Sequence, residues 1–83
     1  MRITFKLFAG LGEYLPPGSR DNAASAEIES GTSVHSLLKG LNLPRERAHL
    51  VLLNGVYLNA VERDTLALRD GDVLAVWPPV AGG

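Results

Sequence analysis

Asn54-Gly55, set between Leu50-Val51-Leu52-Leu53 and Val56-Tyr57-Leu58, is the strongest local constraint in this chain. The pair supplies the two positive-φ positions of a type I′ turn, so its flanks read as two strands of a hairpin. Ile3, Phe5 and Leu7 alternate with Arg2, Thr4 and Lys6, a period of two that predicts a strand over residues 2–8. A weaker strand over 23–29 carries Ala24, Ala26 and Ile28 on one face and is broken by Ser30-Gly31. Val34, Leu37, Leu38 and Leu41 then form one apolar stripe at helical spacing. They predict a helix over 33–41, with Thr32 as its N-cap and Gly40, Asn42 and Pro44 as its stop. Asp70-Gly71-Asp72 turns the chain into a last strand, 73–77.

The intervening segments read as connections. Gly10-Leu11-Gly12 and Pro16-Pro17-Gly18 bracket a loop in which Leu11, Tyr14 and Leu15 form a single helical turn. Arg45, Glu46 and Arg47 read as a solvated connector, and Leu66 and Leu68 as a loop or short turn. The order is therefore strand, strand, helix, strand, strand, strand. One helix across a mixed sheet buries a single apolar stripe economically. A right-handed crossover makes the first and last strands parallel central neighbours. This is an α+β fold, the β-grasp or ubiquitin-like arrangement, with about five strands and one main helix.

Composition narrows the function classes. At 83 residues and 46% apolar against 20% charged, the chain is one globular domain over 1–77 followed by a tail over 78–83. The longest apolar run, Val73-Leu74-Ala75-Val76-Trp77, is far too short for a membrane span. Met1-Arg2-Ile3-Thr4 opens a strand pattern rather than a signal peptide. The absence of cysteine excludes disulfides and thiolate metal sites and suits a reducing cytoplasm. A net charge of −1 with scattered signs argues against nucleic-acid or anionic-membrane partners.

The tail, Pro78-Pro79-Val80-Ala81-Gly82-Gly83, is the chemically suggestive segment. Pro78 and Pro79 fix φ and remove two donors, so the chain leaves the sheet stiff and extended. Gly82 and Gly83 then place an α-carboxylate on a stem without side chains, able to thread a narrow slot. If Leu74 and Val76 face the helix, period two sends Val73, Ala75 and Trp77 to the opposite face. Trp77 is then a large aromatic beside the tail, where an interface anchor is expected.

From Leu68 to Gly83, the D-G-D turn, the apolar strand and the P-P-V-x-G-G end resemble the sulfur-carrier branch of ubiquitin-like proteins. Within it the chain is most similar to the small subunits of molybdopterin synthase. Val76-Trp77 stands where that family more often has two adjacent phenylalanines. The resemblance implies that a ubiquitin-activating-type enzyme uses ATP to adenylate the carboxylate of Gly83. A sulfurtransferase persulfide then displaces AMP and leaves a thiocarboxylate. The tail next enters a large synthase subunit, in an expected heterotetramer, and sulfur passes to a pterin precursor. It also implies that Gly82 must be small for passage, and that Pro78, Pro79, Val80 and Ala81 contact the partner with Trp77. No cofactor or metal is expected on the chain itself.

Other readings differ in class. In one the carrier serves thiamine, cysteine or another acceptor; in another Gly83 forms isopeptide bonds to lysines; in a third the domain is an interaction module with an inert tail. His35 and His49 lack a partner at ligand spacing. Gly10-Leu11-Gly12 lacks the third glycine of a dinucleotide loop. Ser33 and Ser36 read as helix-capping polarity, and Glu62, Asp64, Asp70 and Asp72 as solvated turn residues.

Overall fold

Strands from the two ends of the chain lie side by side at the centre of the molecule. The computed structural model describes residues 1–79. Its strands are β1 (Arg2–Leu7), β2 (Ala23–Glu27), β3 (Leu50–Leu53), β4 (Val56–Tyr57) and β5 (Val73–Trp77). Helix α1 (Val34–Gly40) and helix α2 (Ala60–Thr65) accompany 3₁₀ helices at Ala9–Tyr14 and Arg45–Arg47. The sheet order is β2-β1-β5-β3-β4, with β1 and β5 parallel and the other pairs antiparallel. This is the β-grasp arrangement that the patterning predicts.

The apolar stripe of α1 meets one face of the sheet. Val34, Leu37 and Leu38 are buried, Leu41 partly so, against Ile3, Phe5, Leu7, Val51, Leu74 and Val76. Each such side chain contributes about 1.5–3 kcal/mol by leaving water. The helix begins one residue later than the sequence suggests. Ser33 pairs with Ala67, and the Thr32 carbonyl accepts from the Leu68 amide at 2.8 Å, so the chain is still extended at Thr32. Ser33 is the N-cap, accepting from the Ser36 amide at 3.1 Å, while the Thr32 hydroxyl donates back to the Glu29 carbonyl.

The Asn54-Gly55 turn has the positive φ values of type I′, 52° and 83°. The Asn54 side chain does more than turn. Its Oδ1 accepts from the Val73 amide at 2.8 Å and its Nδ2 donates to Asp72 Oδ1 at 2.9 Å. Asp72 Oδ2 accepts from the Arg69 amide, and Asp70 Oδ1 from the Arg2 amide, both at 2.8 Å. The two aspartates are therefore ligands of the backbone that bind the start of β5 to β1 and to the hairpin, not merely solvated turn residues.

Helix α2 is absent from the periodic pattern because it buries no residue, so it has no apolar stripe to detect. Local chemistry builds it. Asn59 and Glu62 form a reciprocal capping box at 2.9 and 3.0 Å. The Arg63 guanidinium donates to the carbonyls of Leu58, Ala48 and His49, tying the helix to both strands of the hairpin. Asp64 pairs with Arg45 at 3.0 Å.

The aspartate network predicts that Asp72→Ala lowers stability by about 2 kcal/mol, because the Arg69 amide loses a charged acceptor. Urea denaturation should show this loss, with Asn54→Ala adding less than its separate effect because the two share a bond.

Candidate functional site

Period two along β5 sorts its side chains cleanly. Leu74 and Val76 are fully buried under α1, while Val73, Ala75 and Trp77 lie on the opposite face. The registers extend that outer face sideways. Val73 neighbours Thr4, Ala75 lies between Lys6 and Leu52, Trp77 pairs with Leu50, and Leu52 pairs with Tyr57. No helix covers it. Leu50 and Val73 are each 37% exposed and Tyr57 55%, so an apolar strip crosses β5, β3 and β4 in contact with solvent.

Trp77 closes the tail-side end of this strip. Its ring stacks on Phe8 with centroids 4.6 Å apart and planes inclined by 12°. Such a pair adds about 0.5–1.5 kcal/mol beyond the area it buries. Phe8 went unassigned in the sequence reading, although a signal for it exists. It is an apolar residue of opposite parity to Ile3, Phe5 and Leu7, so it belongs on the outer face. Trp77 is half-buried in this stack and stands outside the buried core.

The tail leaves at the same corner. The Trp77 carbonyl accepts the last ladder bond, from the His49 amide at 2.9 Å. Pro78 has no N–H to continue the ladder, so the sheet stops there. Pro78 is half-buried and Pro79 exposed. Val80, Ala81, Gly82 and Gly83, to which the sequence assigns the reacting end, lie outside the described residues.

Two short helices brace the exit. Ala9, at φ 52°, turns the chain sharply after Phe8 into the 3₁₀ helix that buries Leu11. A left-handed conformation at a residue with a Cβ costs roughly 1–2 kcal/mol. Arg45, Glu46 and Arg47 form a second 3₁₀ helix rather than a solvated connector. The Arg47 guanidinium lies 5.6 Å from the Tyr14 ring centroid and donates to the Tyr14 hydroxyl at 3.2 Å and to Glu13 at 3.5 Å. The Tyr14 hydrogen bond, followed by smaller contributions from Tyr14 and Glu13 charge, raises the Arg47 pKa above its usual value. Gly10 makes room, since a Cβ there would come within 3.2 Å of Arg47 Nη2. His35 and His49 sit apart on α1 and ahead of β3, and among the described residues no three acidic or histidine side chains converge. Among the described residues no helix is long and apolar enough to cross a membrane.

An apolar sheet face thus ends in an aromatic pair beside the Pro78-Pro79 exit. The model of the ThiS family matches residues 6–83. The chain belongs to the ThiS family. This is a family of ubiquitin-like sulfur carriers. No curated protein matches it. Among solved structures it is similar to SAMP1 from Haloferax volcanii, at 27% identity and TM-score 0.66 over all of both chains. It is also similar to the HVO 2177 protein of that organism, at 26% identity and TM-score 0.77 over 100% of this chain and 87% of that one. A third similar fold, at 19% identity and TM-score 0.59 over all of both chains, comes from the complex of subunits 1 and 2 of the Helicobacter pylori molybdopterin-converting factor.

If the aromatic pair serves docking, Trp77→Ala should weaken binding to a cognate partner by about tenfold or more, a hot-spot loss. Thermal unfolding should change much less, because Trp77 is outside the core. A collapse of the melting temperature with binding intact per folded molecule would instead make Trp77 a structural residue.

Proposed function

We propose that this chain carries sulfur on the carboxylate of Gly83 and donates it to a pterin precursor in molybdopterin biosynthesis. The single observation that carries the reading is the continuity between the open apolar face, the Phe8–Trp77 stack and the Pro78-Pro79 exit. A docked partner that covers this face receives the tail directly into its own active site.

The chemistry needs little from the domain. A carboxylate is a poor electrophile. An activating enzyme therefore spends ATP to form an acyl-adenylate at Gly83 and releases pyrophosphate. A sulfurtransferase persulfide attacks the acyl carbon, AMP leaves, and a thiol cleaves the resulting acyl disulfide to free the thiocarboxylate. That polarizable nucleophile acts at high effective concentration once its stem is held by the acceptor subunit. Gly82 allows a narrow channel, and Pro78, Pro79, Val80 and Ala81 contact the partner along it. The chain is a sulfur-donating subunit and supplies no base or metal to the transfer. The reading sets its work in the cytoplasm, in keeping with a sequence that has no cysteine.

A large catalytic subunit is the partner favoured for the pterin route, supported by the likeness to a chain of the Helicobacter pylori complex of subunits 1 and 2. A heterotetramer of two copies of each subunit fits this role. The likeness to SAMP1, a small archaeal modifier protein, favours a second reading, in which activated Gly83 is passed to lysine side chains of other proteins. Activation is common to both and to carriers serving thiamine or cysteine; the acceptor separates them.

Intact-protein mass spectrometry decides the first step. Incubation with ATP, an adenylating enzyme and a sulfur donor should replace one oxygen by sulfur, and deletion of Gly83 should abolish the change. Gly82→Ala should leave the melting temperature unaltered and reduce transfer by at least tenfold. A stable adduct with other proteins, in place of a thiocarboxylate, would select the modifier reading.

A further inference from the structure

Two strands border the sheet, and only one of them is protected. β4 is two residues long and leads at once into α2. β2 is five residues long, in unbroken register with β1 from Ala23 to Glu27, and contains no bulge, proline or lysine. Natural edges are usually blunted by such devices, because an open row of amides pairs readily with another chain.

The direction of those amides follows from the hydrogen bonds around them. The Leu7 amide donates to the Asn22 carbonyl at 2.9 Å and the Ile28 amide to the Met1 carbonyl at 2.8 Å. Alternation along an antiparallel ladder then makes Phe5/Ala24 and Ile3/Ala26 the bonded pairs. On β1 the amides of Arg2 and Thr4 turn the other way, to the Asp70 carboxylate and the Asp72 carbonyl. Their partners on β2, Glu27 and Ser25, therefore direct both N–H and C=O away from β1. Ala23 shares that parity, but its amide donates to the Arg20 carbonyl at 2.9 Å, and Arg20 closes that end of the edge. Ser25 and Glu27 are the open part of the ladder.

We infer that the outer edge of β2 pairs with the β2 edge of a second copy, antiparallel about a two-fold axis at Ala26. In this register Ser25 of each copy faces Glu27 of the other, so every open donor meets an open acceptor and four main-chain bonds form. A shift in one direction runs into Arg20. A shift in the other sets Glu27 against its own symmetry mate. Ala24, Ser25 and Ala26 are small enough to let two backbones approach. Glu27 already holds Arg2 at 2.7 Å, while Arg20 and Glu29 are exposed and have no ion pair among the described residues. The register carries Glu29 of the second copy to Arg20, beside the groove between Pro16-Pro17 and Ala24-Ser25. β5 lies two strands inward from this edge. The paired molecule therefore keeps both apolar faces and both tails available, which makes this interface independent of the docking surface. So short a ladder buries less than the roughly 1,200 Å² of a stable complex, so the association is weak and reversible.

Sedimentation velocity from about 10 μM to 1 mM should show the mean mass rising toward twice the monomer, the range of a weak contact of this size. Backbone amide NMR shifts that move with concentration should centre on Ser25 and Glu27. Ser25→Pro removes only an outward N–H, a placement that edge strands tolerate, and should abolish the dimer with circular dichroism unchanged. Arg20→Glu should weaken it several-fold and Arg20→Glu with Glu29→Arg should restore it, which decides the matter even if Ser25→Pro fails to fold. Trp77→Ala should leave the dimer intact. A monomer at every concentration overturns the inference. So does a dimer lost in Trp77→Ala and kept in Ser25→Pro, which would place self-association on the outer face. Movement of the Ser25 and Glu27 amides only when a different protein is added would give the edge to that partner and equally overturn pairing between copies.

Discussion

The parallel pairing of β1 with β5 is the contact on which the remainder of the molecule depends. It joins segments from opposite ends of the chain, so it is costly in loop entropy. Its register is held at one end by side chains rather than by the ladder alone. Asp70 accepts from Arg2, Asp72 from Arg69 and Asn54, and Asn54 from Val73. A one-residue slip would turn Leu74 and Val76 out of the core and Trp77 into it. The hydrogen-bonded turn before β5 thus sets which face carries the aromatic end of the strand.

From that register the functional surface follows by exclusion. One helix of seven residues, braced by a shorter one, covers a single sheet face. The other face stays open and holds more apolar area than its exposure alone requires: Leu50, Leu52, Tyr57, Val73, Ala75 and Trp77 stand in adjacent rows. Proline ends the ladder beside the aromatic stack, so the strand gives way at the margin of this face. Electrostatics take a secondary part. Many charged groups of the domain, Asp64, Asp70, Asp72, Arg45 and Arg47 among them, are already committed to partners within it.

Much of this was legible in the residues, and the failures have physical causes. The hairpin, the parity of β1 and β5 and the stripe of α1 all rest on apolar periodicity, which survives folding unchanged. Helix α2 has no buried side chain, so its only signal was the Asn59–Glu62 spacing of a capping box. Thr32 lost the N-cap to Ser33 because strand-like pairing with residues 67 and 68 keeps Thr32 extended, a long-range effect invisible in a local pattern. Phe8 became meaningful only when β5 was laid beside β1.

The sequence by itself determined the class of fold and the split of β5 into an inward and an outward set. These depend on local conformational preference and on period, properties of neighbouring residues. The tertiary structure alone decided that Phe8 lies under Trp77, that Asp70 and Asp72 serve the backbone, and that Ser25 and Glu27 turn their amides outward at an unguarded edge. Each of these is a relation between segments distant in the chain, set by register and hydrogen-bond alternation, and no local pattern encodes it.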